Sequence, residues 1–257
     1  MDRQTLPSRW QSAIVDAVRR EGRMRIGVLA RELAVSDETI RRHVRPLVAE
    51  GLLRKTHGEV VLAAGGVEPP FHRRLQHQAA AKRAIARAVA DRVDDGQTVM
   101  LDTGSTTAYV AQALAARHEL TVITNGVEIA RALVGRNGHR VYLAGGELTA
   151  ELAAAVGAEA LAFLEPFRAD LAILSIAAID AAEGLMNFEL AEARIARAMI
   201  DRASRTVVAA DGSKFGLRAA VRVAPLSAVG LLVTDRAPPP PFAAQLAEAR
   251  VEVVAAS

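Results

Sequence analysis

Three guanidinium groups stand at matched spacing near the N-terminus. Arg41, Arg42 and Arg45 fall with Glu38 at i, i+3, i+4 and i+7, so in a helix they share one face. Like charges crowded together repel, and such a face acts chemically by holding an anion opposite it. Phosphate oxygens and guanine edges are the partners whose geometry fits. Taken alone, the cluster is equally an exposed face with an ordinary Glu38–Arg42 pair. A second stretch suited to anions is Asp102-Thr103-Gly104-Ser105-Thr106-Thr107. It offers hydroxyls, a glycine that permits close backbone approach, and the start of a helix, whose free N–H groups attract phosphate. A serine- or threonine-capped helix without ligand has the same composition. The stretch is not a P-loop, because no Gly-Lys-Ser/Thr closes it, and it lacks the dinucleotide fingerprint.

The elements that carry these residues can be read from periodicity and caps. Trp10, Ile14, Ala17 and Val18 recur at helical spacing, and Gly22 is placed to stop the helix. A short helix is expected around Val28–Leu33, then a tight connection, Ala34-Val35-Ser36, and a third helix. Ser36 is a strong N-cap, Asp37 and Glu38 complement the helix dipole, and Val35 with Ile40 can form a hydrophobic staple. Ile40, Val44, Leu47 and Val48 make the inward stripe, leaving the arginines on another face. A third helix in a helix-turn-helix is where a recognition helix belongs, and this turns the arginine cluster from a bland face into a DNA-binding candidate. Residues 52–62 then read as two strands about a turn, a wing presenting Arg54, Lys55 and His57.

Charge agrees with this division. Residues 1–65 hold 12 Lys and Arg against 8 Asp and Glu, and the remainder hold 20 against 21. The basic end points to nucleic acid. A length of 257 residues suggests two domains. The chain has no cysteine, which excludes disulfides and thiolate metal sites. The N-terminal run Met1–Pro7 lacks a signal peptide's apolar segment, and no stretch is long enough to span a bilayer. A cytoplasmic protein without membrane partner is expected.

Ala63–Pro70 reads as a boundary, with Gly65-Gly66 flexible and Pro69-Pro70 extended. A long helix follows, with Ala81, Ile85, Ala88, Val89 and Val93 inward. Strands are then expected at Thr98–Leu101, Leu120–Thr124, Arg140–Leu143, Leu171–Ser175, Thr206–Ala210, Val229–Thr234 and Val251–Val254, alternating with helices. That rhythm implies a mostly parallel α/β sheet covered on both faces. Ligands in such sheets collect at the carboxyl ends of the strands. Thr124-Asn125, Gly145-Gly146 and Asp211-Gly212-Ser213-Lys214-Phe215 lie at such ends, and Lys214 offers a phosphate its charge partner. Glu189 and Glu192 are read as first-turn acids rather than as ligands for sugar hydroxyls.

These segments together resemble the DeoR family of repressors. Val35–Arg42, Gly51–Lys55 and His57-Gly58 are similar to that family's winged helix-turn-helix signature. Asp102–Thr107, Thr124-Asn125, Gly145–Leu148, Gly157, Ile179-Asp180, the Glu192–Ile200 segment and Ser213–Phe215 are similar to family positions farther on. His43 stands where the family usually has aspartate, Glu59 replaces a wing glycine, and Ala196 stands where many members have lysine. Ser175–Ala178 departs from a stretch that is often glycine-rich. The resemblance implies a sensor domain similar to ribose-5-phosphate isomerase that binds phosphorylated metabolites. Ser213–Gly216, Thr234-Asp235 and Pro238–Pro240 look most like the branch that represses glycerol-3-phosphate regulons.

The expectation is therefore a ligand-controlled repressor of a carbohydrate or glycerol catabolic operon. Residues 1–63 form the winged helix-turn-helix, 64–75 a linker, and 76–257 the sensor. Ser36, Thr39, Arg41, Arg42, Arg45, Lys55 and His57 face double-stranded operator DNA. Asp102, Gly104, Ser105, Thr106, Thr107, Thr124, Asn125, Gly145, Gly146 and Lys214 bind the effector, glycerol-3-phosphate or a sugar phosphate. A homo-oligomer, dimer or tetramer, is expected, with no catalytic residue, metal or cofactor. The rival is a sugar-phosphate isomerase with an accessory DNA-binding domain. Its general base would have to be Asp180 or Glu183, and the isomerase-type run of acidic residues is absent. A third possibility is a DNA-binding protein whose large domain dimerises without ligand.

Overall fold

The computed structural model of the chain describes residues 9–49, 53–56, 58–62 and 69–256. His57 and residues 63–68 of the expected boundary lie outside the described residues. The chain divides into two units, Met1–Pro69 and Pro70–Ser257.

In the first unit, helix α1 (Arg9–Glu21) buries Ile14 and Val18 and ends at Gly22, whose φ of +75° is the left-handed stop. A short strand, β1 (Arg23–Arg25), precedes helix α2 (Ile26–Glu32), and helix α3 (Asp37–Ala49) follows the tight connection. The second helix thus begins two residues earlier than expected, directly from β1. Ile40, Val44 and Leu47 are buried on α3, with Val35 and Val48 packed at the edge of the same core. Pro46 sits inside α3, where its missing N–H removes the bond to the Arg42 carbonyl. Strands β2 (Leu53–Thr56) and β3 (Glu59–Leu62) form the antiparallel wing, and β1 adds to β3 in the order β1-β3-β2.

The second unit opens with helix α4 (Phe71–Gln76) inside the segment expected to be linker. Buried Phe71 anchors it, and the Phe71 N–H donates to the Glu151 carbonyl at 3.0 Å. Helix α5 (Ala79–Ala90) then leads into strand β4 (Thr98–Leu101), helix α6 (Ser105–Leu114), β5 (Thr121–Thr124), α7 (Val127–Leu133) and β6 (Arg140–Leu143). A hairpin, β7 (Glu147–Thr149) and β8 (Ala154–Val156), and helix α8 (Ala158–Leu164) lead to β9 (Ala169–Leu174). After β10 (Ala178–Asp180) and β11 (Gly184–Asn187) come α9 (Leu190–Asp201), β12 (Ala203–Ala209), β13 (Val221–Ala224), β14 (Leu231–Thr234), α10 (Pro240–Glu248) and β15 (Glu252–Ala255).

The seven strands read from the sequence are the seven of one parallel sheet, ordered β15-β14-β12-β9-β4-β5-β6. Alternation sorts their side chains. Val99, Leu101, Leu171 and Ile173 face a core shared with α5, α6 and α7, while Met100, Ala172 and Leu174 face one shared with α8, α9 and α10. The chain runs outward from β4 to β6, then returns to lay β9 on the other side of β4. The order therefore reverses between β4 and β9, and a crevice opens at such a reversal, beyond the carboxyl ends of the strands. The antiparallel sheet β10-β11-β13 and the β7–β8 hairpin were not anticipated. Among the described residues no helix is long and apolar enough to cross a membrane.

Candidate nucleic-acid interface and anion-binding crevice

On α3 the cap forms as expected. Ser36 Oγ accepts the Thr39 N–H at 3.2 Å and shares a 2.9 Å hydrogen bond with the Thr39 hydroxyl. These two residues are thereby bound to each other at the helix start. Arg41, Arg42 and Arg45 are exposed. Arg41 and Lys55 line one depression of about 540 Å³ together with Arg25 and Arg31, and Asp37 is the acid on its wall. Four cations around one carboxylate suit an anion of the size of a backbone phosphate. Neither Arg25 nor Arg31 was singled out in the sequence. Arg25 immediately precedes α2 and Arg31 lies in its last turn, and only the β1–β3 pairing brings Arg25 to the wing. Glu59, the departure from the wing glycine, accepts from Arg25 Nε at 3.1 Å, an exposed pair that fixes β1 to β3. Burial and the neighbouring Arg42 lower the imidazole of His43, the residue that stands where the family usually has aspartate, below its ordinary pKa.

In the second unit the carboxyl ends of β4, β5 and β9, where the strand-order reversal leads one to expect a crevice, carry polar groups taken out of water. Asp102, Thr103, Ser105, Thr106 and Thr107 are all buried, as are Thr124 and Asn125 on the next strand. Asp102 Oδ1 accepts the Ser175 N–H at 3.0 Å, joining the ends of β4 and β9. Burial raises the Asp102 carboxyl well above its ordinary range; the Ser175 N–H opposes this and the Glu192 carboxylate adds to it. Thr107 is spent inside the turn, its hydroxyl donating to the Asp102 and Gly104 carbonyls at 3.0 and 3.1 Å. Helix α6 (first residue Ser105, N-cap Gly104) begins without a side-chain cap, so no cap side chain occupies the N–H groups of its first turn, the kind of helix start that attracts anions.

Lys214 lies half-buried in a short turn after β12, behind the Asp211 cap. Burial alone would raise the Asp211 carboxyl, but the ammonium groups of Lys214 and Lys82 and the Ser213 hydrogen bonds outweigh it and hold it ionised. Lys82, which was not foreseen, is thus the residue that ties the two sequence-predicted segments together. It is buried on α5, and its ammonium donates to Ser105 Oγ at 2.8 Å and to the Arg74 carbonyl at 2.5 Å. Thr124 Oγ1 accepts from Gly126 N, and Asn125 Nδ2 donates to the Ala155 carbonyl at 2.9 Å. Gly145 and Gly146 stand apart, exposed at the end of the edge strand β6. Glu192 is buried rather than an exposed first-turn acid.

Asp102 Oδ2, Asn125 Oδ1 and Asn187 Nδ2 are buried without a hydrogen-bond partner. Buried polar groups are nearly always paired, and leaving one unpaired costs about 1–3 kcal/mol. Asp102 and Asn125 follow β4 and β5 of the parallel sheet and Asn187 ends β11 of the small antiparallel one, and unpaired atoms of this kind suit a hydroxyl-bearing ligand. The candidate bases fare differently. Asp180 takes N–H groups from Ala182 and Glu183 on one oxygen and Arg218 Nε on the other at 2.6 Å. The Arg218 bond is the main reason its pKa is lowered, which makes it a poor proton acceptor. Glu183 is half-exposed, 4.0 Å from Arg222. Among the described residues no group of three or more histidine or acidic side chains is placed to hold a metal.

Residues 11–64 match the DeoR-like helix-turn-helix domain, and residues 77–236 match the DeoR C terminal sensor domain. A glycerol-3-phosphate regulon repressor of Escherichia coli (strain K12) is 35% identical over 229 residues, covering 89% of this chain and 90% of that protein. The transcriptional repressor AccR of Agrobacterium fabrum is 38% identical over 227 residues, 88% of each chain. Among solved structures, a D-ribose-5-phosphate isomerase in complex with phospho-erythronic acid overlays 53% of this chain and 54% of its own at 16% identity and a TM-score of 0.40. That overlay is too loose to carry an argument.

Proposed function

Because the chain belongs to the DeoR family of DNA-binding transcriptional regulators, we propose that it represses a carbohydrate or glycerol catabolic operon under control of a phosphorylated effector. The observation that carries the effector reading is the crevice at the β4–β9 reversal. Supporting it are a buried ammonium on the first residue of α6, that helix's uncapped N-terminus, and unpaired polar atoms of Asp102 and Asn125 just after β4 and β5. The cations suit a phosphate, and the unpaired oxygens suit polyol hydroxyls. Asp102, Gly104–Thr107, Thr124, Asn125 and Lys214 form the binding surface, with Gly145 and Gly146 at its outer edge. Glycerol-3-phosphate is the first candidate, supported by the tail segments after β12 and β14, and a sugar phosphate is the second.

Residues 1–63 carry the DNA-binding surface, with Arg41, Arg42, Arg45, Lys55 and His57 toward the operator and Ser36 and Thr39 holding the recognition helix. Residues 64–75 connect it to the sensor at 76–257. The protein works without cofactor as a dimer or tetramer in the cytoplasm, because one winged helix-turn-helix covers a limited site and gains affinity by two-fold symmetry. Binding without turnover is favoured over isomerisation by the neutralised surroundings of Asp180. Calorimetry on the full chain tests the effector. Glycerol-3-phosphate or a sugar phosphate should bind and unphosphorylated glycerol should not. A ligand at a hundred times its Kd should add about 2.7 kcal/mol of stability. Heats and melting curves that ignore every phosphorylated compound refute the sensor reading.

A further inference from the structure

The parallel sheet ends on one side at β6, which pairs with β5 alone. An edge strand keeps a row of backbone N–H and C=O groups without partners in the sheet, and proteins usually shield such rows with charge, proline or a bulge. The Arg140 and Ala144 N–H groups donate to the Leu120 and Thr124 carbonyls, at the two ends of β5, at 2.9 and 2.8 Å. Alternation along the strand turns the backbone groups of Tyr142 inward as well, and those of Val141 and Leu143 outward. The side chains at this rim are apolar. Tyr142 and Leu143 are 38% and 42% exposed, and Val134 before the strand and Leu148 after it are 63% and 61% exposed. Arg140, the one charge of β6, leans back to Thr121 Oγ1 at 3.1 Å, and no register shift interrupts the β5–β6 ladder. The opposite edge strand, β15, begins instead with Glu252, which pairs with Arg205.

Charge selects the occupant of this edge. The approach to β6 is basic, with exposed Arg136 and Arg140. The exit is acidic, with exposed Glu147 and with Glu159, whose side chain lies beside Gly146. A parallel copy would set like charges together, whereas an antiparallel copy sets each basic end against the other's acidic end. We propose that β6 docks a second copy of this chain, the two β6 strands pairing antiparallel about a two-fold axis at Tyr142. In that register Val141 of each copy stands opposite Leu143 of the other and exchanges both backbone bonds with it. Arg136 of each copy comes beside Glu147 of the other. The contact is isologous and closes on itself, so it makes a dimer and not a fibre. This rests on the proposed function only for the oligomer, and needs no ligand.

The chain has no cysteine, so Tyr142→Cys offers one thiol per copy. In the proposed register the two Cα atoms at position 142 form a non-hydrogen-bonded pair about 4.5 Å apart, within the roughly 4.4–6.8 Å that a disulfide spans. Mild oxidation of this full-length variant at micromolar concentration should convert most of it to a covalent dimer that a reductant dissolves. Val253→Cys, on β15, should stay unlinked. Tyr142→Lys sets like charges opposite each other and should weaken self-association, measured by light scattering, roughly tenfold or more. An oligomer that Tyr142→Cys links no better than Val253→Cys, or that Tyr142→Lys leaves at full strength, overturns the inference and leaves the proposed function standing. A wild-type chain that is monomeric at micromolar concentration removes the oligomer of the proposed function and the inference with it.

Discussion

Gly104 and Ser175 meet so closely at the crevice that a Cβ on Gly104 would lie 1.7 Å from Ser175 Oγ and 2.9 Å from Ser175 Cβ. The backbone at Gly104 is extended, so the requirement is for space and not for an unusual φ. Gly104→Ala should cost about 1–3 kcal/mol of stability by overpacking. It should also weaken binding at the first turn of α6. Pairing it with Ser175→Gly removes the obstructing atoms, and the double variant should recover most of the loss. Urea melts of the four proteins check this, and strict additivity contradicts the packing account.

The exposed arginines of α3 make a separate prediction. Arg42→Ala should weaken operator binding by about 1–3 kcal/mol if Arg42 reads a guanine. Arg25→Ala and Arg31→Ala, at the depression shared with Arg41 and Lys55, should weaken binding to all duplexes alike and flatten its salt dependence. Fluorescence anisotropy at several salt concentrations distinguishes the two classes. A folded variant lacking Arg41, Arg42 and Arg45 with unchanged affinity removes α3 as the recognition element.

Asp102 sets a pH dependence of definite sign. Its folded pKa is raised above the ordinary 3.8, chiefly by burial, so the folded state binds its proton more tightly than the unfolded state does. Its contribution is present below pH 3.8 and is lost as pH rises through the folded pKa, by at most about 1.4 kcal/mol per pH unit. Asp102→Asn keeps an acceptor for the Ser175 N–H and removes this loss, so it should gain stability relative to the wild type as pH rises from 4. Asp180 and Asp211, held low, act below that window. Parallel stability–pH curves for the two proteins contradict the assignment.

Much of this architecture was legible in the residues. The inner parallel strands announce themselves as apolar runs because both faces are covered, while the edge strands β6 and β15 are largely exposed, and Ser36 and Gly22 mark helix ends by their own chemistry. What escaped has physical reasons. Ala178–Asp180 is three residues long and buried throughout, so no alternation exists to read. Arg23–Arg25 becomes a strand only by pairing with Glu59–Val61, far along the chain. Lys82 shares the buried stripe of α5 with Ile85, Ala86 and Val89, while Ala81 and Ala88, expected inward, are only half-buried. A lysine at i relative to apolar i+3, i+4 and i+7 is the available signal, but such side chains usually snorkel to water, so the pattern alone does not mark burial. Glu192 was dismissed likewise, its helix start taken for a surface.

Assembly follows from the small DNA-binding unit. The full chain should be at least a dimer at micromolar concentration, held mainly through the large unit, and should occupy repeated or palindromic half-sites. Light scattering on the free protein and on its DNA complex measures this directly. A monomer in both states contradicts it.

The central claim is that a phosphorylated metabolite in the β4–β9 crevice governs the hold on DNA. Its most direct test is an equilibrium titration of the full chain onto a duplex that the chain itself has selected from a random pool. The titration is run alone, with glycerol-3-phosphate, with a sugar-phosphate panel and with glycerol. The account predicts that at least one phosphorylated compound changes the operator Kd tenfold or more, about 1.4 kcal/mol of coupling. Glycerol should leave it unchanged, and the response should be largely lost in Lys214→Ala. An operator Kd that stays the same with every phosphorylated compound, in a protein that binds its duplex tightly, contradicts the account.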